Sequence, residues 1–195
     1  MSYKIAEVTI EGTTPYQQGK HYSEEEFPMD ANETKERYEL RTWKNRAHFD
    51  AKGIIFIPGA ALKIALESTA RYLGLTIKGQ GKKTWTKKFE SGIMIMDNAS
   101  LGVSIEDVHG AWVFGPSNGQ RGGGTRVNRC FPTIQPGWTA TFKIYVLDNI
   151  ITEDILLRHL EACGKFIGLG VYRPENRGFH GRFIVKSLDW SDEAE

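Results

Sequence analysis

Two amphipathic segments constrain the fold more than any other feature of the chain. In PGAALKIALESTARYLG (58–74), Leu62, Ala65, Leu66, Thr69 and Leu73 recur at helical spacing, with Pro58 suited to the entrance and Gly74 to the exit. In ITEDILLRHLEACG (151–164), Ile155, Leu156, His159, Leu160 and Cys163 make one face. Thr152 suits the N-cap, Glu153 and Asp154 complement the helix dipole, and Gly164 closes the segment. Each helical pattern lies between two strand patterns. YKIAEVTI (3–10), ended by Gly12, precedes the first and GIMIM (92–96) follows it. TATFKIYV (139–146) precedes the second, with Ala140, Phe142, Ile144 and Val146 alternating on one face, and RFIVKSLDW (182–190) follows.

Strand–helix–strand, twice over, predicts an α+β fold: a ferredoxin-like (RRM-like) βαββαβ core, with an antiparallel four-stranded sheet and both helices on one side. The chain reads as a single domain over 1–195, with two long insertions at about 13–57 and 98–137. The first holds a short helix near 33–47 and a short strand, GIIFI (53–57). Insertions of this length in a compact domain carry function.

Composition fits a soluble, cytoplasmic protein. With 40% hydrophobic and 11% aromatic residues in 195, the chain can bury a substantial core. No apolar run approaches the length of a membrane span, and MSYKIAEVTIEG lacks the apolar block of a signal peptide. Cys130 and Cys163 lie far apart without zinc-site spacing, so neither a disulfide scaffold nor a metal site is expected. No strand–GxGxxG–helix unit and no GxxxxGK[ST] occur, which leaves no nucleotide-cofactor motif and no cofactor expected.

Net charge is only +1, but the charges are segregated. Between Arg37 and Glu90 twelve Lys/Arg stand against four Asp/Glu, whereas residues 24–36 carry Glu24, Glu25, Glu26, Asp30, Glu33 and Glu36 against one lysine. Basic residues track phosphates, and an aromatic among them offers a base a surface to stack on. KGQGKKTWTKK (78–88) sets Lys78, Lys82, Lys83, Lys87 and Lys88 around Trp85; RYELRTWKNRAHF (37–49) sets Arg37, Arg41, Lys44 and Arg46 around Trp43. The competing reading of the first is a lysine loop whose tryptophan tucks into the core. SNGQRGGGTRVNR (117–129) combines Arg121, Arg126 and Arg129 with four glycines and no acid, a loop that either is simply solvated or closes on a polyanion. RPENRGFHGRF (173–183) sets Arg173, Arg177 and Arg182 beside Gly178 and Gly181. Its glycines either let a backbone approach phosphates or make a tight turn before the last strand. The expectation is that these side chains meet along one face of the sheet, forming a trough for single-stranded RNA or DNA, with RNA favoured.

Two of these stretches carry a family resemblance. FIPGAALKIAL (56–66) resembles the IPG-x-x-LKG-x-x-R entry to the first helix of RAMP proteins, the ferredoxin-fold subunits of CRISPR effector complexes, with Lys63 at the motif's lysine. HLEACGKFIGLGVYRPENRGFHGRF (159–183) resembles their glycine-rich loop before the final strand. The family's next glycine is Ile64 here, and its following arginine is replaced near Glu67. The resemblance is greatest to backbone subunits, which bind guide RNA along a filament and carry a thumb between central strands, where residues 117–129 would sit. It implies head-to-tail self-association and other effector-complex proteins as partners. A diverged stand-alone phage or mobile-element relative fits the same layout.

Some RAMP relatives cut RNA with a histidine, others with a thumb aspartate. His180, in the glycine-rich loop, is the best-placed candidate, followed by His48 and His109; segment 115–131 has no aspartate, and Asp97 and Asp107 only flank it. A metal-independent RNA endonuclease using His180 is therefore the enzymatic alternative to a binding protein. A phage structural or inhibitory protein with a RAMP-like fold is the other.

Overall fold

The computed structural model describes residues 3–23, 25–116 and 125–192. In chain order its elements are β1 (Lys4–Gly12), β2 (Tyr16–Gln17), α1 (Lys35–Thr42), β3 (Ile54–Ile57), α2 (Gly59–Leu73), α3 (Thr86–Gly92) and β4 (Ile93–Met94). They continue with β5 (Ala99–Ser104), β6 (His109–Pro116), β7 (Arg126–Ile134), β8 (Thr139–Val146), α4 (Glu153–Ala162) and β9 (Phe183–Asp192).

Four strands form the central sheet in the order β4–β8–β1–β9, every neighbour antiparallel. With α2 and α4 connecting them, this is the ferredoxin-like α+β arrangement. Strand alternation sends Ala6, Val8 and Ile10 of β1 and Ala140, Phe142, Ile144 and Val146 of β8 into the core. Leu62 and Leu66 of α2 and Leu156 and Leu160 of α4 meet them there. α2 ends where Gly74 takes a left-handed conformation (φ 56°) and caps Ala70. α4 starts at Thr152, whose hydroxyl makes no cap bond. Its end differs from the expected stop at Gly164. The chain continues through a π turn, Cys163–Ile167, because Gly164 packs flat against the Phe183 carbonyl, where a side chain would collide.

Two smaller sheets are added. β2, β7 and β6 form one, in which β6 and β7 pair from His109↔Thr133 to Pro116↔Arg126 as a long ribbon. β3 and β5 form the other. The expected helix near 33–47 is α1 followed by a 3₁₀ turn, Trp43–Arg46. The end of the lysine-rich stretch 78–88 and the start of the expected strand 92–96 belong instead to the helix α3, Thr86–Gly92. Among the described residues, no helix is long and apolar enough to cross a membrane.

The side of the sheet away from the helices is not a basic trough, which corrects the sequence expectation. It presents Glu7, Thr9 and Glu11 of β1, Thr141 and Lys143 of β8, and Asp189 of β9. Lys143 sits 3.8 Å from Glu7 and Lys186 3.0 Å from Glu11, so the lysines on this side are matched by acids. Its aromatic residue Tyr145 stands towards one end, meeting Tyr3 edge to face with ring centroids 5.7 Å apart.

Candidate nucleic-acid interface

The β6–β7 ribbon and the glycine-rich loop form the two walls of a cleft. The loop closes on itself: His180 N–H donates to the Tyr172 carbonyl at 2.9 Å, and Leu169 N–H to the Gly181 carbonyl at 3.0 Å. Val171 N–H bonds Gln17 at 3.0 Å, anchoring the loop to β2. Its glycines serve this self-packing. A Cβ at Gly178 would strike the Tyr172 carbonyl, and one at Gly181 the Leu169 carbonyl. The tight-turn reading of 173–183 therefore accounts for its glycines. Arg177 alone among the described non-glycine residues has positive φ, 63°, and it caps the short 3₁₀ turn Pro174–Asn176.

On the ribbon, the register Val113↔Arg129 and Ala111↔Phe131 places these four side chains on one side. Phe131 meets Tyr172 of the loop edge to face, with ring centroids 6.3 Å apart. Above this contact opens a cleft of about 920 Å³ lined by Arg126, Arg129, Arg177, Phe114, Tyr172 and Glu175, among others. The guanidinium of Arg126 lies 5.4 Å from the centre of the Phe114 ring, and that ring is 58% exposed. By strand alternation Arg126 and Phe114 stand on the opposite side of the ribbon from Arg129 and Phe131, so the ribbon borders the cleft from both of its sides while Arg177 borders it from the loop. Such a surface can hold phosphates by charge and bases by stacking.

The other cations named from the sequence do not join this cleft. Arg41 makes a two-pronged pair with Glu33, Nε to Oε1 at 3.0 Å and Nη2 to Oε2 at 2.7 Å, and lies over Tyr38. This pairing holds the Glu33 carboxyl below its ordinary pKa and raises that of Arg41. Arg46 grips the buried Glu39 (Nη2 to Oε2, 2.8 Å) between the Tyr22 and Phe131 rings. Lys44 pairs with Glu106 at 2.5 Å, Lys87 with Glu90 at 2.9 Å, and Arg173 with Glu175 at 2.8 Å. Lys63 bonds Glu67 and the Glu90 carbonyl, and Arg182 bonds the Lys165 carbonyl. Lys82 and Lys83 are exposed in the turn after α2. Arg121 lies outside the described residues.

Trp85 is a plain correction. It is only 7% exposed and packs in the core near His159, so it offers no face to a base. Trp43 is half-buried and packs against the core beside Gly110. Phe114 and Tyr172, which do line the cleft, went unnamed in the sequence reading. The alternation of Trp112 and Phe114 within HGAWVFGP was the signal that could have found Phe114.

His180 Nδ1 lies 2.8 Å from Gln17 Oε1, while Gln17 Nε2 donates to Thr133 Oγ1 at 3.1 Å. Gln17 therefore presents an acceptor, and the His180 Nδ1 carries the hydrogen. Burial lowers the His180 pKa, favouring the neutral ring. His48 is likewise lowered by burial and then by Lys20. Burial pushes the Cys130 thiol up to about 11 and Cys163 up to about 12, which keeps both from acting as thiolates. Among the described residues no group of three or more His, Cys, Asp or Glu could hold a metal ion.

No family model matches the sequence, and no curated protein matches it. Among solved structures, the fold is similar to a chain in the cryo-EM structure of the Type III-B Cmr-beta bound to cognate target RNA. The TM-score is 0.60 at 17% identity, covering 99% of this chain and 62% of that one. At that identity the likeness is one of fold. This chain spans about 62% of the length of the solved chain that it matches.

Proposed function

We propose that this protein binds single-stranded RNA in the cleft between the β6–β7 ribbon and the loop 168–181, as a RAMP-like subunit. One observation carries the reading: Arg126, Arg129 and Arg177, from the ribbon and the loop, line one groove beside the exposed Phe114 and the Tyr172 ring. Phosphate contacts of this kind position a strand without reading its sequence, so recognition is weakly sequence-specific. The fold likeness to a chain of an RNA-bound type III-B assembly supports RNA over DNA, as does the resemblance of FIPGAALKIAL and the glycine-rich loop to RAMP motifs. In this reading the whole chain is one domain, the ribbon is its inserted thumb, and copies associate head to tail.

The test is fluorescence anisotropy with labelled single-stranded RNA across a salt series. Three phosphates neutralised by three arginines give a loss of about twentyfold in affinity between roughly 50 and 200 mM salt. An RNA affinity independent of salt, or no binding at low salt, contradicts the proposal.

A further inference from the structure

A second surface, on the helix layer, has the same ingredients as the cleft. Tyr72 near the end of α2 is 61% exposed and Phe166 of the π turn is 39% exposed, yet their rings lie 5.4 Å apart at 31°, a tilted pair turned towards solvent. Lys165 Nζ stands 5.2 Å from the centre of the Phe166 ring, and Arg182 bonds the Lys165 carbonyl. Two rings and two cations therefore share one exposed site. Two large rings exposed side by side form a small apolar patch, unlike apolar residues scattered singly over a surface.

This site connects to the cleft. A smaller groove of about 190 Å³ runs between Ala61, Ile64 and Ala65 of α2 and Gly168, Leu169 and Gly170 of the loop. Glu175 lines both this groove and the arginine cleft. Along α2, Ile64 and Tyr72 are eight residues apart on the same side, about 12 Å at 1.5 Å per residue. The path from Arg177 past Arg173 and Ile64 to Tyr72 thus crosses apolar and basic groups, with Glu175 held by Arg173 at 2.8 Å and Glu67, one turn along α2 from Ile64, bonded to Lys63.

We propose that Tyr72 and Phe166 form a second RNA-binding station, where a base of a strand leaving the cleft stacks and its phosphate meets Lys165 and Arg182. The inference rests on RNA binding in the cleft and adds a direction: the strand runs over the glycine-rich loop onto the helix layer. The charge of the site selects a polyanion over an apolar partner helix.

The experiment compares RNA oligonucleotides of about 6 and about 16 nucleotides, spanning the range of single-strand site sizes, by anisotropy. The double variant Tyr72→Ala/Phe166→Ala is expected to weaken the longer RNA by roughly tenfold or more and leave the shorter one unchanged. Tyr72→Phe keeps a ring and is expected to retain binding. RNA carrying 5-iodouracil is expected to crosslink to Tyr72 or Phe166, read by mass spectrometry of the digested wild-type protein. Equal losses on both lengths, or no loss on either, overturn the second station while leaving the cleft standing. Loss of self-association in sedimentation with RNA affinity unchanged also overturns it and assigns the surface to a second copy. Absence of all RNA binding by the wild-type protein removes the cleft reading and this one with it.

Discussion

Gln17 and His180 are joined side chain to side chain at 2.8 Å across 163 positions of sequence. Gln17 belongs to β2, which pairs with β7 at Gln17↔Thr133, and His180 belongs to the glycine-rich loop. The contact therefore ties the two walls of the cleft together. Gln17 is 1% exposed, so its amide has no recourse to water. Gln17→Ala is expected to cost about 1–3 kcal/mol of stability, read by denaturant unfolding, because Thr133 and His180 lose a buried partner. RNA affinity is expected to fall as well, since the loop loses its fixed position against the ribbon.

Arg46 and Glu39 separate structure from binding. Glu39 Oε1 also accepts the Cys130 backbone N–H at 2.8 Å, so the pair fastens α1 to the ribbon. Glu39→Ala is expected to destabilise the fold by about 3 kcal/mol, because it leaves the Arg46 guanidinium buried without its acid. Thermal unfolding measures this. An exposed pair such as Lys44–Glu106 is expected to contribute far less when Glu106 is replaced.

Trp85→Ala is expected to behave as a core deletion, with a loss of about 3–5 kcal/mol. Trp85 packs in the core beside Phe89 and His159, and its removal leaves a cavity rather than an empty stacking surface. If the variant remains folded and loses only RNA affinity, the structural assignment fails.

Acid is expected to weaken the fold through His159. Its ring is fully buried, stacks on Phe89 at 4.2 Å, and bonds the Ile155 carbonyl through Nδ1, while Nε2 has no partner. Burial is the main cause of its lowered pKa. Below a pH of about 6.5 the unfolded chain takes up a proton that the folded ring resists, so stability falls as pH drops from there towards the lowered folded value and is level above it. His48 and His180 shift in the same direction and add to the slope. Unfolding midpoints measured between pH 5 and 8 test this, with His159→Gln expected to flatten the dependence.

The central sheet was legible because each strand shows one side to a helix: β8 alternates without a break, and the α2 and α4 faces repeat at helical spacing. The cleft was less legible. Gly110 and Gly115 made β6 look like turns, although the strand tolerates both, Gly110 lying where a Cβ would strike the Cys130 sulfur. The lysine segment hid α3 because Trp85 and Phe89, four apart and both buried, are outnumbered there by charges. Charge counts also misjudged which cations are available. Glu33, in the acidic stretch, takes up Arg41 within the same chain, and Glu39 takes up Arg46. Only the pairing in space distinguishes those arginines from Arg126 and Arg177 in the cleft.

The most direct test compares two triple variants for binding to the same labelled single-stranded RNA at low salt. One replaces Arg126, Arg129 and Arg177 of the cleft with alanine; the other replaces Lys78, Lys82 and Lys83 of the exposed turn after α2, removing the same charge. The cleft variant is expected to lose binding by about tenfold or more for each phosphate contact removed, with the turn variant close to wild type. Equal losses from both variants would mean that net charge alone drives binding, and would contradict a site built between the ribbon and the loop.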